Sequence, residues 1–208
     1  MLTDHQIEDL AQKMNIPLEG CYFKDMLPKR LDINKVYIIN LQDSETDDGK
    51  ENQGTHWTMA YIRGTPKKQF QPIYFDPYGC PPPENVKNII EKQTNIKCPY
   101  TQKDIQSLMN NACGFYCLAL AHFICASKYR TNDLYRDVDE FIDMFDDLNN
   151  SIDWKKNEYI LKHFFLSPDK QTKVDVLGQD HSFYDKIIEE DEKGGKDLMK
   201  IPIDFETK

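Results

Sequence analysis

Two stretches of this chain hold residues suited to nucleophilic chemistry. Cys113 stands directly before Gly114 at the head of an apolar run, CGFYCLALAHFICA. A cysteine in the first turn of a helix meets unpaired backbone N–H groups and the positive end of the helix dipole, and both favour a thiolate. Gly114 would let a substrate backbone come close. The second stretch is a pair of aromatic and β-branched runs, His56–Ile62 and Phe70–Asp76, separated by the turn residues Gly64 and Pro66. A hairpin turning near Pro66 sets His56 opposite Asp76, with Cβ atoms about 5 Å apart. There a carboxylate can accept the imidazole N–H, fix its tautomer and favour the cation. A bulge at Pro72 would move this register by one residue. From the residues alone the alternatives stay open. Cys113 is a nucleophile or one more small core thiol like Cys117 and Cys125, and His56 is a base or a satisfied strand histidine.

The elements that must position these residues can be read from spacing. Thr3 and Gln6 form a capping-box pattern ahead of Ile7, Leu10 and Met14, which predicts a helix over Asp4–Met14. A loop carrying Cys21 and Phe23 follows, then an apolar run, Val36–Leu41, expected as a buried strand. A proline-stiffened loop after Asp76 leads into a helix at Pro83–Gln93, and Ile96–Tyr100 reads as a weak strand. The Cys113 run is apolar on nearly every face, the mark of a buried central helix. Leu134, Val138, Phe141, Phe145 and Leu148 then predict an amphipathic helix, with Asp133, Asp137, Asp139, Glu140, Asp143, Asp146 and Asp147 on its solvated face. A last helix is expected over Trp154–Phe165. These elements predict an α+β domain over 1–166, with a central, mostly antiparallel sheet flanked by helices. Residues 167–208 are a charged C-terminal extension containing Gly194–Gly195.

The totals narrow the function classes. The chain has 208 residues, 39% hydrophobic and 12% aromatic, enough for one sizeable core. Its formal net charge of −9 argues against a broad nucleic-acid-binding surface. The six cysteines show no CxxC pair or zinc-finger spacing and are read as reduced thiols, with no metal and no cofactor expected. No apolar run reaches the roughly 18 residues of a membrane span. The opening MLTDHQIEDL lacks the layout of a secretory signal, so the expected setting is intracellular or inside a particle.

Three segments together resemble a known family: G54-T-H-W57, Y74-F-D-P-Y-G79 and Q106-S-L-M-N-N-A-C-G-F-Y-C117. In this order they resemble adenain, the adenovirus maturation cysteine protease, and more closely the adenain-like proteases of virophages and Polinton elements. F23-K-D-M-L-P28 and Ile39-Asn40-Leu41 also have counterparts there, so the likeness runs discontinuously from about Gly20 to Ala126. The resemblance implies Cys113 as nucleophile, His56 as base and acid, and Asp76 as the group orienting His56. It also implies that the Gln106 side chain joins the Cys113 N–H in an oxyanion hole. Adenain itself carries a glutamate in the turn that holds Asp76. Trp57 follows the histidine in these relatives too; as a strand aromatic it is expected in the core, its other role being a wall of the substrate site beside Gly114.

The implied activity is endoproteolysis of capsid precursors at short glycine-containing sites, in the host cytoplasm where particles assemble and inside the virion. SUMO- and ubiquitin-like-specific proteases share His-Trp, Asp, Gln and Cys-Gly. They usually place Asp before Cys-Gly, where this chain has Ala112, and set the glutamine one residue nearer. A deconjugating protease is the second expectation, and a binding module using the acidic helix the third. Adenain is activated by DNA and by a disulfide-linked peptide. The acidic balance here argues against DNA activation, and Cys98 is expected to be a core thiol. Gly194–Gly195 is a candidate self-cleavage site, set against a plain flexible pair. His122 is expected to be a hydrogen-bonded core residue.

Overall fold

Thr3 begins the first element as its composition demands. Its hydroxyl accepts from Gln6 N (3.2 Å) and its own N–H donates to Gln6 Oε1 (2.9 Å), closing the capping box. Helix α1 (Asp4–Lys13) then buries Ile7 and Ala11. This is a computed structural model, and it describes residues 1–166 apart from 51, 53, 65–68, 109, 126–129 and 150–153. The 167–208 extension, with Gly194–Gly195, lies outside the described residues.

Four strands form one mixed sheet in the order β1 (Leu18–Phe23), β2 (Val36–Asn40), β3 (Trp57–Gly64), β4 (Phe70–Phe75). β1 lies parallel to β2, while β2–β3 and β3–β4 are antiparallel. Strand alternation divides the core. Val36, Ile38, Met59, Tyr61, Ile73 and Phe75 face the main core, which includes α1 and the later helices. Tyr37, Ile39, Ala60, Ile62 and Tyr74 face the other side, covered by Val86 and Ile90 of α2 (Glu84–Thr94). Helix α3 (Cys113–Cys125) lies on the main-core face, with α1, α4 (Leu134–Ile142) and α5 (Trp154–Leu166) packed around it. Twelve of its residues are buried, as expected of a helix apolar all round.

Several expectations are corrected. β1, expected as loop, is a partly buried strand that pairs along the edge of β2, with an irregularity between Leu18 and Gly20. Ile96–Tyr100 makes no strand; Tyr100 forms one isolated bridge to Tyr74, whose N–H bonds Pro99 O. Of the edge position or bulge that Pro72 implied, the structure shows the first: β4 is an edge strand with no bulge at Pro72. The acidic helix stops at Ile142 rather than Leu148. Asn157 of α5 captures the Asp146 backbone from both sides, and Leu148 N bonds Asp104 O, so the chain has other partners for its backbone. Asp137 is not on a solvated face: it is fully buried against Arg63 of β3. Among the described residues no helix is long and apolar enough to cross a membrane.

Candidate active site

The hairpin brings His56 and Asp76 together, but in a register two residues from the one expected. Met59 pairs with Phe75 and Gly64 with Phe70, so continuing the ladder sets Tyr78, not Asp76, across from His56. A shift of two preserves the face, and Asp76 reaches its partner along the diagonal. His56 Nε2 and Asp76 Oδ1 are 2.7 Å apart, and the Tyr78 ring stacks on the imidazole with centroids 4.5 Å apart and planes at 20°. Asp76 is 1% exposed, so this is a carboxylate removed from water and held by hydrogen bonds. Its Oδ1 also accepts from Tyr78 N (2.9 Å), which closes a tight turn with Gly79 N on Asp76 O (2.8 Å).

His56 is fixed from its other side by β2. Leu41 N donates to His56 O (3.1 Å), and Asn40 Oδ1 accepts from Thr55 N (3.4 Å) and Gln42 N (3.1 Å). Gly54 passes Asn40 at φ +76°, where a Cβ would meet the amide nitrogen at 2.2 Å.

The 76–79 turn docks on the segment that carries Gln106. Pro77 O accepts from Ile105 N (2.9 Å) and Gln106 N (3.2 Å). Gly79, at φ +70°, crosses so close to this segment that a Cβ would lie 2.5 Å from Gln102 O. Gly79→Ala is therefore expected to cost at least about 1–2 kcal/mol for the left-handed backbone alone, with the backbone clash added. Urea denaturation measures the loss, and a stability within 0.5 kcal/mol of wild type, about the spread of ordinary surface changes, would contradict this packing.

Gln106 is buried, and its Nε2 donates to Tyr78 OH and to Asn110 O, each at 3.2 Å. Asn110 organises the approach to α3. Its Oδ1 accepts from Ala112 N (3.1 Å), and its Nδ2 donates to Glu158 of α5. Cys113 opens α3 and is 2% exposed. Its thiol lies close enough to His56 to act on the charge of the imidazole. Because Nε2 is engaged by Asp76, Nδ1 is the nitrogen left for Cys113. Burial pulls the His56 pKa down, but the hydrogen bond it donates to Asp76, then the interaction with Cys113, and the charges of both outweigh it and push it up to about 9. The imidazole therefore stays protonated beside the thiol at neutral pH.

The other assigned positions lie differently. Trp57 is 7% exposed in the main core, its Nε1 donating to Leu2 O (2.9 Å), which leaves little of the ring for a substrate to touch. Trp57→Phe is expected to lower stability by about 1 kcal/mol through the lost hydrogen bond, with KM for a peptide unchanged. A severalfold rise in KM would return Trp57 to the substrate site. Gly114 is buried, and a Cβ there would point at Leu2 and Ile7, so its missing side chain serves the close approach of α1. Cys98 is buried, and desolvation followed by Glu91 pushes its thiol up to about 12. All six cysteines are free. His122 is buried within α3. Among the described residues no three His, Cys, Asp or Glu side chains are grouped to hold a metal ion.

Sequence reasoning passed over Asn110 and treated Tyr78 as only part of a turn. The signal for Asn110 was the Asn-Asn pair just before Ala112-Cys113, because asparagine side chains bond their own backbone ahead of helices. No protein-family model matches the chain, and no curated protein is significantly similar to it. A thiol beside a carboxylate-held imidazole, with a side-chain amide close by and the unpaired N–H groups of a helix start, has the components of thiol-based acyl transfer.

Proposed function

We propose that this protein is a cysteine endopeptidase of the adenain-like kind, cleaving capsid precursors of a virus or virus-like element at glycine-containing sites. The observation that carries the reading is the His56–Asp76 pair, close enough to Cys113 for the thiol to act on the imidazole, with the Gln106 amide tied to the Tyr78 that stacks on His56. The Cys113 thiolate attacks a peptide carbonyl carbon, and the π pair moves to oxygen, where Gln106 Nε2 and the Cys113 N–H receive the charge. His56 gives its proton to the leaving amine as the C–N bond breaks, leaving a thioester. Neutral His56 then takes a proton from water, whose oxygen attacks the thioester, and the thiolate departs. Asp76 holds the ring through both steps. No metal enters this scheme. Assembly sites in the host cytoplasm and the particle interior are where such an enzyme would act.

The test is co-expression with the major capsid protein of the same genetic element, beside the Cys113→Ala variant and a SUMO- or ubiquitin-conjugate substrate. Capsid-protein cleavage by wild type alone is the expected result. Cleavage of the conjugate only would reassign the protein as a deconjugating protease. Uncut capsid protein copurifying equally with wild type and Cys113→Ala would point to a binding module. The burial of Asp137 leaves that last reading a smaller acidic surface than the sequence promised.

A further inference from the structure

We infer that the Tyr78 hydroxyl is a third hydrogen-bond donor to the oxyanion, acting beside Gln106 and the helix N–H. The inference rests on the proposed thiol chemistry and concerns a residue assigned no role in it above.

At rest, the Gln106 amide has nothing left to give. Both hydrogens on Nε2 are engaged, one by Asn110 O and one by Tyr78 OH, while its Oε1 is buried without a hydrogen-bond partner. An oxyanion beside Nε2 must displace one of these two acceptors. Asn110 O is the harder to move, because its residue is held by Ala112 N, by Ser107 O and by Glu158. The bond to Tyr78 is the easier to give up: the Nε2 hydrogen swings from the phenol oxygen to the oxyanion, and rotation about the phenol C–O bond leaves that oxygen in place while its hydrogen turns.

Rotation changes its role. In accepting from Gln106, the phenol oxygen still carries its own hydrogen. Once Nε2 turns to the oxyanion, the hydroxyl, 3.2 Å from Nε2, lies close enough to turn that hydrogen to the same charge. The ring cannot drift meanwhile, since it is stacked on His56 and its N–H is bound to Asp76 Oδ1. Burial, then Cys113 and Asp76, raises the phenol above its ordinary value, so it remains a donor at neutral pH. A preorganised donor of this kind stabilises charge that appears only after attack, which raises kcat without tightening ground-state binding.

Tyr78→Phe keeps the stack and the backbone N–H and removes only the hydroxyl. Two probes separate a donor from a residue that merely holds His56. Iodoacetamide, with Cys113 followed by peptide mass spectrometry, reports the thiolate–imidazolium pair and forms no oxyanion. The aldehyde acetyl-Leu-Gly-glycinal does form one: sulfur adds to the carbonyl carbon, the π pair goes to oxygen, and His56 can return a proton to give a neutral hemithioacetal. The expected result for Tyr78→Phe is aldehyde protection of Cys113 weakened about 10-fold or more, with a similar fall in kcat. The alkylation rate and its pH profile stay at wild-type values. Equal aldehyde protection in both proteins would overturn the inference and leave the proposed function standing. Loss of alkylation rate in parallel with aldehyde binding would also overturn it, making Tyr78 a support for His56 only. If wild-type Cys113 alkylates like an ordinary thiol and the aldehyde gives no protection, the proposed function falls, and the inference with it.

Discussion

Asp76→Asn is expected to lower kcat/KM by about 10²–10⁴-fold at neutral pH while leaving the protein folded. The carboxylate does two things here. It accepts from His56 Nε2, which leaves Nδ1 for Cys113, and its charge helps raise the imidazole to about 9. An asparagine amide can present its N–H to Nε2 instead and so favour the wrong tautomer. With the charge removed, the His56 value should also fall towards its ordinary 6.5.

A pH signature follows, because the protonated ring is the acid that expels the amine. Wild-type activity should decline as pH rises through about 9, and Asp76→Asn should begin its decline well below that. Stability carries the same sign. A histidine whose folded value is raised contributes stability fully present below its unfolded value near 6.5, and lost as pH climbs through about 9. Urea midpoints across that window should fall in wild type and stay flatter in Asp76→Asn. An alkaline limb unmoved by the substitution, with a rate within threefold of wild type, would mean that Asp76 does not govern His56.

How much of this was legible in the chain depends on how local each cause is. The Thr3–Gln6 box, the all-round apolar α3 and the two aromatic runs of the hairpin are local patterns, and each formed the expected element. The hairpin register is less local, because it depends on the conformation of the connection between β3 and β4. His56 and Asp76 still met because the displacement was even, which keeps both on one face. β1 was missed because Leu18–Phe23 carries Glu19 and Gly20 and shows no alternation; its strand character comes from pairing with β2. Asn110 and Tyr78 were opaque for a related reason. Their roles exist only once the 76–79 turn rests on the Gln106 segment and α5 reaches Asn110. Asp137 looked like one acid among many, and its partner lies 74 residues away.

That partner sets up a large expected stability effect. Arg63 donates through Nη1 to Asp137 Oδ2 (2.7 Å) and Thr131 O (3.2 Å), and through Nη2 to Ile124 O (2.6 Å). Asp137 Oδ1 takes Thr131 N (2.7 Å), and the two side chains are 8% and 0% exposed. The guanidinium therefore satisfies a carbonyl in the last turn of α3, where no helical partner remains and a cation suits the dipole. It also ties β3 to the start of α4. Asp137→Ala strands a buried arginine charge and orphans Thr131 N, so the expected loss is about 3–5 kcal/mol, against less than 1 kcal/mol for an exposed pair. Replacing both residues, as in Arg63→Met with Asp137→Leu, should restore much of that, because the desolvation of both charges disappears with them. The pair sits at the end of α3 opposite Cys113. While the single variant remains folded, its Cys113 alkylation rate at 25 °C should therefore match wild type even as its urea midpoint drops. A loss below 1 kcal/mol would show that water reaches the pair, and slowed alkylation in the folded protein would show that the far end of α3 governs the placement of its first turn.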